Sequence, residues 1–238
     1  MKVEIACGNL ESVLNAHNAG ADRIELCVAL EVGGLTPSFG LVKKAISIFK
    51  KEVFVLIRPR EGDFVYSDEE IEIMLDDIHI VREMGVGGIV SGVLLPNNKI
   101  DIEKTKALVD ASGNLPFTFH RAFDLISNPI SGMEELAALG VKRILTSGQK
   151  QSAYEGMELL KTLNDRHDGI TVMAGAGINP NNVKEIIEFT GVNEVHLSAK
   201  SKKGTRSMVS MGSSDSGLYD VSDERTIRLL ISELNKLK

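Results

Sequence analysis

The chain has 238 residues, 43% hydrophobic and 25% charged, so it can bury a sizeable core and has an ordinary globular composition. A net charge of −6 and 5% aromatic residues argue against general nucleic-acid binding, which needs cations for phosphates and rings for bases. No apolar run approaches the roughly 18 residues that span a bilayer, and the first residues lack a signal peptide's apolar stretch, which predicts a cytoplasmic protein.

Short β-prone runs alternate with helical patterns along the chain. Eight strand–helix units in about this length predict an α/β fold, a closed parallel TIM (β/α)8 barrel that forms a single domain over residues 1–238. An open doubly wound sheet is the alternative, but the GxGxxG dinucleotide motif is missing. The predicted strands are 3–7, 23–27, 53–58, 88–95, 117–120, 143–147, 170–175 and 194–199.

The helical patterns are bounded by capping signals. Polar residues that accept amide hydrogen bonds precede four of them, and glycines suited to a left-handed C-cap follow four. These signals predict where the helices begin and end. The N-cap candidates are Asn9, Ser67 with Glu70, Asn128 before Pro129 and Asn179 before Pro180, and the glycines are Gly20, Gly85, Gly140 and Gly191.

Residues 199–221 form a long polar segment, rich in Gly and Ser, after the last strand. Its composition predicts a mobile loop, and the DERTIRLLISELNKL stretch that follows is predicted to be the closing helix. The cations of the segment either form a lid that holds an anion or are a solvated charge run. They are Lys200, Lys202, Lys203 and Arg206.

Alternate side chains of a strand point to opposite faces, and this parity predicts which residues enter the barrel. With the apolar residues packed under the helices, five polar residues face the barrel axis: Glu4, Glu25, Arg58, His120 and His196. A barrel of this kind builds its active site at the carboxyl ends of the strands. Buried charges are costly unless paired, so this set is either a structural ion-pair network or a functional site.

The functional interpretation assigns roles by residue chemistry. Glu4, Glu25 and His120 are candidates for moving protons, if their pKa values are shifted toward neutrality. Arg58 and Arg60 can grip a carboxylate or a phosphate with paired N–H groups.

The stretch TFHRAFD adds one more catalytic candidate. Asp124 lies four residues past His120, where it either orients the imidazole or pairs with Arg121 to hold the loop after the fifth strand. Asp63, in RPREGDF, is predicted to brace the loop after the third strand.

The stretch MAGAGIN follows the seventh strand. Gly175 and Gly177 let the backbone approach a ligand, and a helix opening at Asn179 would point amide groups at an anion. Turn glycines without a ligand are the alternative. The other predicted ligand-binding residues near this mouth are Thr146, Ser147, His196 and Ser198.

Cys7 and Cys27 are predicted to end adjacent strands, which lie about 5 Å apart in a parallel pair. Cys27 faces inward by parity, whereas Cys7 does so only if the chain turns there. Two thiolates suit Cu(I), and two inert buried thiols are the alternative. A divalent ion such as zinc or manganese would instead use carboxylate and imidazole groups from Glu4, Glu25, His120 and His196.

Seven blocks of the sequence, taken in order, resemble the CutC family of copper homeostasis proteins: EIAC, GADRIELC with GGLTPS, VLIRPREGDFVYSDEE, TFHRAFD, RILTSG, GAGIN and EVHLSAK. The resemblance covers nearly the whole chain. It implies a cytoplasmic TIM barrel that handles copper and forms a homo-oligomer, with a dimer expected. It places the family's proposed Cu(I) ligands on Cys7 and Cys27, and its strand-end polar set on Glu4, Glu25, Arg58, Arg60, His120, Arg121 and Asp124.

Two functions therefore stay open at this point. One is a copper homeostasis protein that binds copper as Cu(I) through its two cysteines. The other is a TIM-barrel enzyme of isomerase, lyase or hydrolase type that acts on a small anionic or phosphorylated metabolite at the barrel mouth. Neither function involves a nucleic acid or a membrane.

Overall fold

Eight parallel strands close into a barrel in the computed structural model, which describes residues 1–166, 169–205 and 217–237. The strands are β1 (Lys2–Cys7), β2 (Arg23–Leu26), β3 (Glu52–Leu56), β4 (Gly88–Ser91), β5 (Phe117–Phe119), β6 (Arg143–Thr146), β7 (Thr171–Gly175) and β8 (Glu194–Leu197). Each strand pairs with the next, and β8 pairs with β1, which confirms the predicted TIM (β/α)8 fold. Most strands end before their predicted last residues.

Helices follow the strands around the outside of the barrel. They are α1 (Leu10–Ala19), α2 (Phe39–Ile48), α3 (Asp68–Glu83), α4 (Ile102–Ser112), α5 (Pro129–Ala138), α6 (Met157–Asp165), α7 (Val183–Thr190) and α8 (Glu224–Asn235). Three predicted N-caps are confirmed, because Asn9, Ser67 and Asn128 each accept an amide hydrogen bond at the start of a helix. None of the helices in the described ranges is both long and apolar enough to cross a membrane.

The fourth predicted helix start is wrong. The helix α7 begins at Val183 rather than beside Pro180, because a turn comes first: the amides of Asn182 and Val183 both donate to the carbonyl of Asn179. The predicted glycines all have positive φ values, as a left-handed helix end requires. They are Gly20, Gly85, Gly140 and Gly191.

Strand parity divides the buried residues into two groups. The larger core lies between the barrel and the helices and includes Ile5 and Ile24, whereas a smaller cluster of Cys27, Phe54, Leu56 and Val90 fills part of the barrel interior. The interior also holds charged side chains that are almost fully buried. The position of each polar residue therefore follows from its place in the alternating pattern.

The polar segment after β8 contains two antiparallel strands, β9 (Lys200–Gly204) and β10 (Leu218–Ser222). They are attached to the α1 region, where Asn9 donates to the Asp220 carbonyl at 2.8 Å and Lys203 pairs with Glu11 at 2.5 Å. Lys202 pairs with Asp220 within the hairpin at 2.9 Å. Arg206 lies outside the described residues.

Candidate functional site

A cavity of about 340 Å³ opens at the carboxyl ends of the strands. Four of the five residues selected by parity line it: Glu25, Arg58, His120 and His196. The fifth, Glu4, is fully buried and is hydrogen-bonded to His196. Residues separated by up to 192 positions in the chain are thus brought into one volume, as the sequence predicts.

A second cavity of about 470 Å³ adjoins the first, beside β7 and β8. Arg121 and His196 line both cavities, so the two form one continuous mouth. The predicted ligand-binding residues Gly177 and Ser198 line the second cavity, together with Lys200.

Glu25 is a buried carboxyl group on β2. Burial raises its pKa, and the charge of Glu4 raises it further, while the charges of His196 and Arg23 lower it; the result is a pKa of about 7. Its Oε2 atom is buried and has no hydrogen-bond partner among the described residues. Glu25 can therefore both give and accept a proton near neutral pH.

His120 is held as a neutral imidazole. The amide of Ala122 donates to its Nδ1 at 3.3 Å, so the proton of the neutral ring is on Nε2. Burial, and then the charge of Arg58, lower the His120 pKa to about 3. Its Nε2 has no partner among the described residues, so His120 presents an unsatisfied N–H donor.

Two neighbours fix the His120 ring. The ring of Phe64 packs against it with centroids 4.7 Å apart. Gly92 leaves room for it, since a Cβ added there would lie 2.8 Å from two ring atoms. The neutral donor is therefore positioned by packing as well as by the Ala122 amide.

His196 and Glu4 form a buried pair, with Nδ1 and Oε1 2.7 Å apart. Burial favours a low pKa for His196, but the charge of Glu25 and the bond to Glu4 outweigh it and raise the pKa. Burial likewise favours a high pKa for Glu4, but Arg23 and His196 lower it to about 2. His196 thus carries positive charge into the mouth at a higher pH than a free histidine.

The sequence interpretation did not predict a layer of charged residues that lies beneath the site. Arg23 donates from Nε to Glu4 and from Nη2 to Glu194 at 2.5 Å, and Arg143 donates to the same Glu194 at 2.5 and 3.1 Å. Arg23 and Arg143 also lie over the ring of Phe54, 4.8 and 5.5 Å from its centroid. Arg23, Arg143 and Glu194 are the first residues of β2, β6 and β8. The parity rule predicts that all three face the barrel interior when it is applied to the first residues of strands as well as to the last.

Arg58 holds loops rather than standing free to clamp an anion. Its Nη1 donates to the carbonyls of Val32 and Gly34 at 2.8 and 2.9 Å, and its Nη2 to that of Gly62 at 2.9 Å. Its Nε is buried without a partner among the described residues. Arg58 therefore keeps its Nε–H without a partner at the wall of the cavity that it lines.

Arg60 does not line the mouth cavities. It bonds to Glu70 at 2.5 Å, to Asp63 at 3.0 Å and to the Val65 carbonyl at 2.7 Å, which fixes the loop after β3. Asp63 also accepts from the Val65 amide, so its predicted bracing role agrees with these contacts.

Asp124 fixes the loop after β6. Its carboxylate accepts from Arg121 at 2.8 Å, from the Thr146 hydroxyl at 2.5 Å and from the amide and hydroxyl of Ser147, both at 3.0 Å. No hydrogen bond joins it to His120 in the described part of the chain. The hydroxyls of Thr146 and Ser147 are thereby engaged in the same loop.

Gly175 and Gly177 have different reasons to be glycine. A Cβ at Gly175 would lie 2.5 Å from a methyl carbon of Leu145, so close packing demands glycine there. Gly177 has a φ of 71°, in the left-handed region.

Cys7 and Cys27 are fully buried on opposite faces of the sheet. Cys7 packs in the outer core and Cys27 in the interior cluster, and the Cys27 sulfur lies 3.8 Å from the Cys7 carbonyl oxygen. Burial, and then the charge of Glu25, raise the pKa of both thiols. Both are therefore protonated at neutral pH.

One group of three metal-ligand side chains converges within the described ranges. Ligand atoms of Glu4, Glu25 and His196 lie within 4.8 Å of one another. Arg23 and His196 already engage both oxygens of Glu4, which leaves His196 Nε2 and Glu25 as donors, with Glu4 behind the imidazole as in many metal sites. His120 does not complete the set, because its Nε2 carries the proton. These two donors are suited to holding a divalent ion weakly, since a closed structural site needs four protein ligands.

Comparison with known proteins gives consistent matches. The model of the CutC family matches residues 1–201. A family protein CutC of Glaesserella parasuis is 45% identical over 100% of both chains, and one of Pasteurella multocida is 48% identical over 84% of this chain and 82% of its own.

Solved structures agree with this result. A CutC protein from Streptococcus agalactiae, described with a proposed role in copper homeostasis, matches with a TM-score of 0.79 and 36% identity over 83% of this chain and 98% of its own. A thiamine phosphate pyrophosphorylase from Pyrococcus furiosus matches with a TM-score of 0.62 at 16% identity, covering 99% of this chain and 96% of its own. The second likeness shows the shared fold alone.

Proposed function

The chain belongs to the CutC family, and on that premise we propose that it serves copper homeostasis through a small-molecule site at the mouth of its barrel. In this site Glu25 exchanges a proton with a small, polar, anionic ligand. The physiological part of the proposal comes from the copper role proposed for the Streptococcus agalactiae relative. The chemical part comes from the cavity.

One observation carries the chemical part. Among the described residues, three buried side-chain atoms that lack a hydrogen-bond partner belong to residues that line the first cavity. Each such atom is destabilising by about 1–3 kcal/mol unless a ligand or water satisfies it. A purely structural network would satisfy these atoms internally. The three are Glu25 Oε2, Arg58 Nε and His120 Nε2.

The charge of the mouth favours an anion. His196 lies where the two cavities meet, and its raised pKa keeps it a cation there to a higher pH than a free histidine. Arg121 lines both cavities beside it, and Lys200 lines the second. An anionic group of the ligand next to His196 would leave the rest of the molecule facing Glu25.

We expect a small anionic metabolite to raise the melting temperature. A suitable panel is inorganic phosphate, glycerol 3-phosphate, dihydroxyacetone phosphate, pyruvate and malonate, followed by differential scanning fluorimetry. A binder at 100 times its Kd adds about 2.7 kcal/mol, a shift of roughly 5–10 °C for a chain of this size.

Two matched variants make this test specific. His196→Gln removes the charge at the mouth and should abolish the shift, whereas His79→Gln alters an exposed histidine on α3 and should keep it. A panel without any stabilising compound, or an equal shift in both variants, would contradict the proposed site.

The copper role of the Streptococcus agalactiae relative favours a second candidate, in which Cys7 and Cys27 hold Cu(I). The amide of Cys27 donates to the Cys7 carbonyl at 3.1 Å, so the two residues are neighbours across β1 and β2. Binding would have to bring together two thiols that lie on opposite faces of the sheet and release both of their protons from a buried position, which lowers affinity at neutral pH.

This candidate predicts one Cu(I) per chain, measured by competition with a chelator under reducing conditions. Affinity should rise with pH, and either Cys7→Ser or Cys27→Ser should abolish stoichiometric binding. Unchanged affinity in both serine variants would exclude the thiol site. The cytoplasmic location and the homodimer expected from the resemblance stay predictions.

A further inference from the structure

We infer that the ligand is a carbonyl compound with a hydrogen on the carbon next to the carbonyl group, and that the site interconverts its keto and enol forms. This inference rests on the proposed function and specifies its substrate class. It follows from the kind of polar atom that each cavity residue leaves unsatisfied: two N–H donors and one carboxylate oxygen.

The two donors suit a single ligand oxygen. His120 presents Nε2–H and Arg58 presents Nε–H, and both residues line the same cavity. A carbonyl oxygen has two lone pairs, and the negative charge that forms on it during enolisation strengthens both hydrogen bonds. A neutral imidazole suits this role, because it donates without giving up its proton to the substrate.

Both donors are fixed before a ligand arrives. Three backbone carbonyls hold the Arg58 guanidinium, and its Cζ lies 5.1 Å from the centroid of Phe64. Phe64 also packs against His120, whose Nδ1 is held by the Ala122 amide. Donors that need no reorganisation contribute most to stabilising a developing oxyanion.

Glu25 supplies the base. Its carboxylate takes the proton from the carbon next to the carbonyl; the electrons of that C–H bond form the C=C bond, and the carbonyl π electrons move to the oxygen. The resulting enolate is held by His120 and Arg58. The Glu25 carboxyl then returns its proton to carbon, so the cycle consumes no other reactant. Leu56 and Leu145 line the same cavity and keep it partly apolar, which favours transfer between Glu25 and carbon.

Exchange of carbon-bound hydrogen with solvent tests the inference. The protein is incubated in ²H₂O with pyruvate, 2-oxobutyrate or dihydroxyacetone phosphate, and deuterium at the carbon next to the carbonyl is followed by ¹H NMR. We expect at least one compound to exchange faster than in buffer alone.

Four variants identify the roles. Glu25→Gln should slow exchange by about 100-fold or more, while Glu72→Gln, on the exposed face of α3, should leave it unchanged. His120→Gln places an amide donor near the Nε2 position and should keep more activity than His120→Asn. Equal loss in the two His120 variants would overturn the donor role.

Thermal shifts with the same three compounds separate this inference from the proposed function. If compounds raise the melting temperature but none of the three exchanges in the wild type, the enolisation inference is overturned and the binding site stands. If no compound of the anionic panel stabilises the protein, the proposed function itself is contradicted. Exchange that is lost in Glu25→Gln, with the thermal shift retained, supports both.

Discussion

Arg23→Met is expected to destabilise the protein by about 3–5 kcal/mol, because it leaves buried carboxylates without their partner. Arg23 is fully buried and bonds to both Glu4 and Glu194. Without it, Glu194 keeps Arg143 and Glu4 keeps His196 as ion-pair partners among the described residues. A loss of this size is a large part of the stability of a typical domain.

Urea denaturation at pH 7 measures the effect. Arg228→Met is the matched control, since Arg228 forms an exposed pair with Glu224 and its loss should change stability by about 0.5 kcal/mol or less. Adding Glu4→Gln to Arg23→Met removes the fully buried carboxylate that has lost its arginine, while Glu194 keeps Arg143, and should recover part of the loss. A decrease below about 1 kcal/mol for Arg23→Met alone would show that the carboxylates find other partners.

Glu25→Gln is expected to stabilise the protein at pH 8 by up to about 3 kcal/mol. The pKa of Glu25 is about 7 in the folded state against an ordinary value of 4.5. Below pH 4.5 the carboxyl is protonated in both the folded and the unfolded chain, so it does not lower the free energy of unfolding. Between pH 4.5 and 7 the unfolded chain releases the proton first, so wild-type stability falls as pH rises, and above pH 7 the deficit is constant.

The measurement is the difference in unfolding free energy between Glu25→Gln and wild type at pH 5, 6, 7 and 8. The advantage of the variant should grow with pH up to about 7 and then level off. Glu72→Gln should show no such trend. A pH-independent difference would mean that the carboxyl of Glu25 ionises normally in the folded state. The expected gain in stability, with loss of proton exchange, is the pattern of a residue kept for function.

Much of the fold could be predicted because its signals are local. The alternation of apolar and polar residues in RIEL and EVHL predicts strands, and the same alternation sends Glu25 and His196 inward. Capping residues such as Ser67 mark the start of a helix through hydrogen bonds to residues fewer than four positions away. The exception is Asn179, which begins a hydrogen-bonded turn that comes before the helix rather than the helix itself.

The site could be predicted only in part. Parity at the strand ends identified Glu4, Glu25, Arg58, His120 and His196 as entering the barrel, but not the partners that they meet there. Arg60 lies outside both cavities and holds the loop after β3 through Glu70, whereas Asp124 lines the first cavity and also holds the loop after β6 through Ser147. Arg58 lines the cavity, yet loop carbonyls engage most of its donors.

The sequence by itself determined the barrel and the inward direction of Glu4, Glu25 and His120, because strand parity and helix capping depend on neighbouring residues. Closure of the barrel decided the rest. Arg23 meets Glu194 across 171 positions, and such a distant pair exists only once the strands are in register. The raised pKa of Glu25 likewise arises first from burial, which is a property of the whole packed barrel and not of any segment.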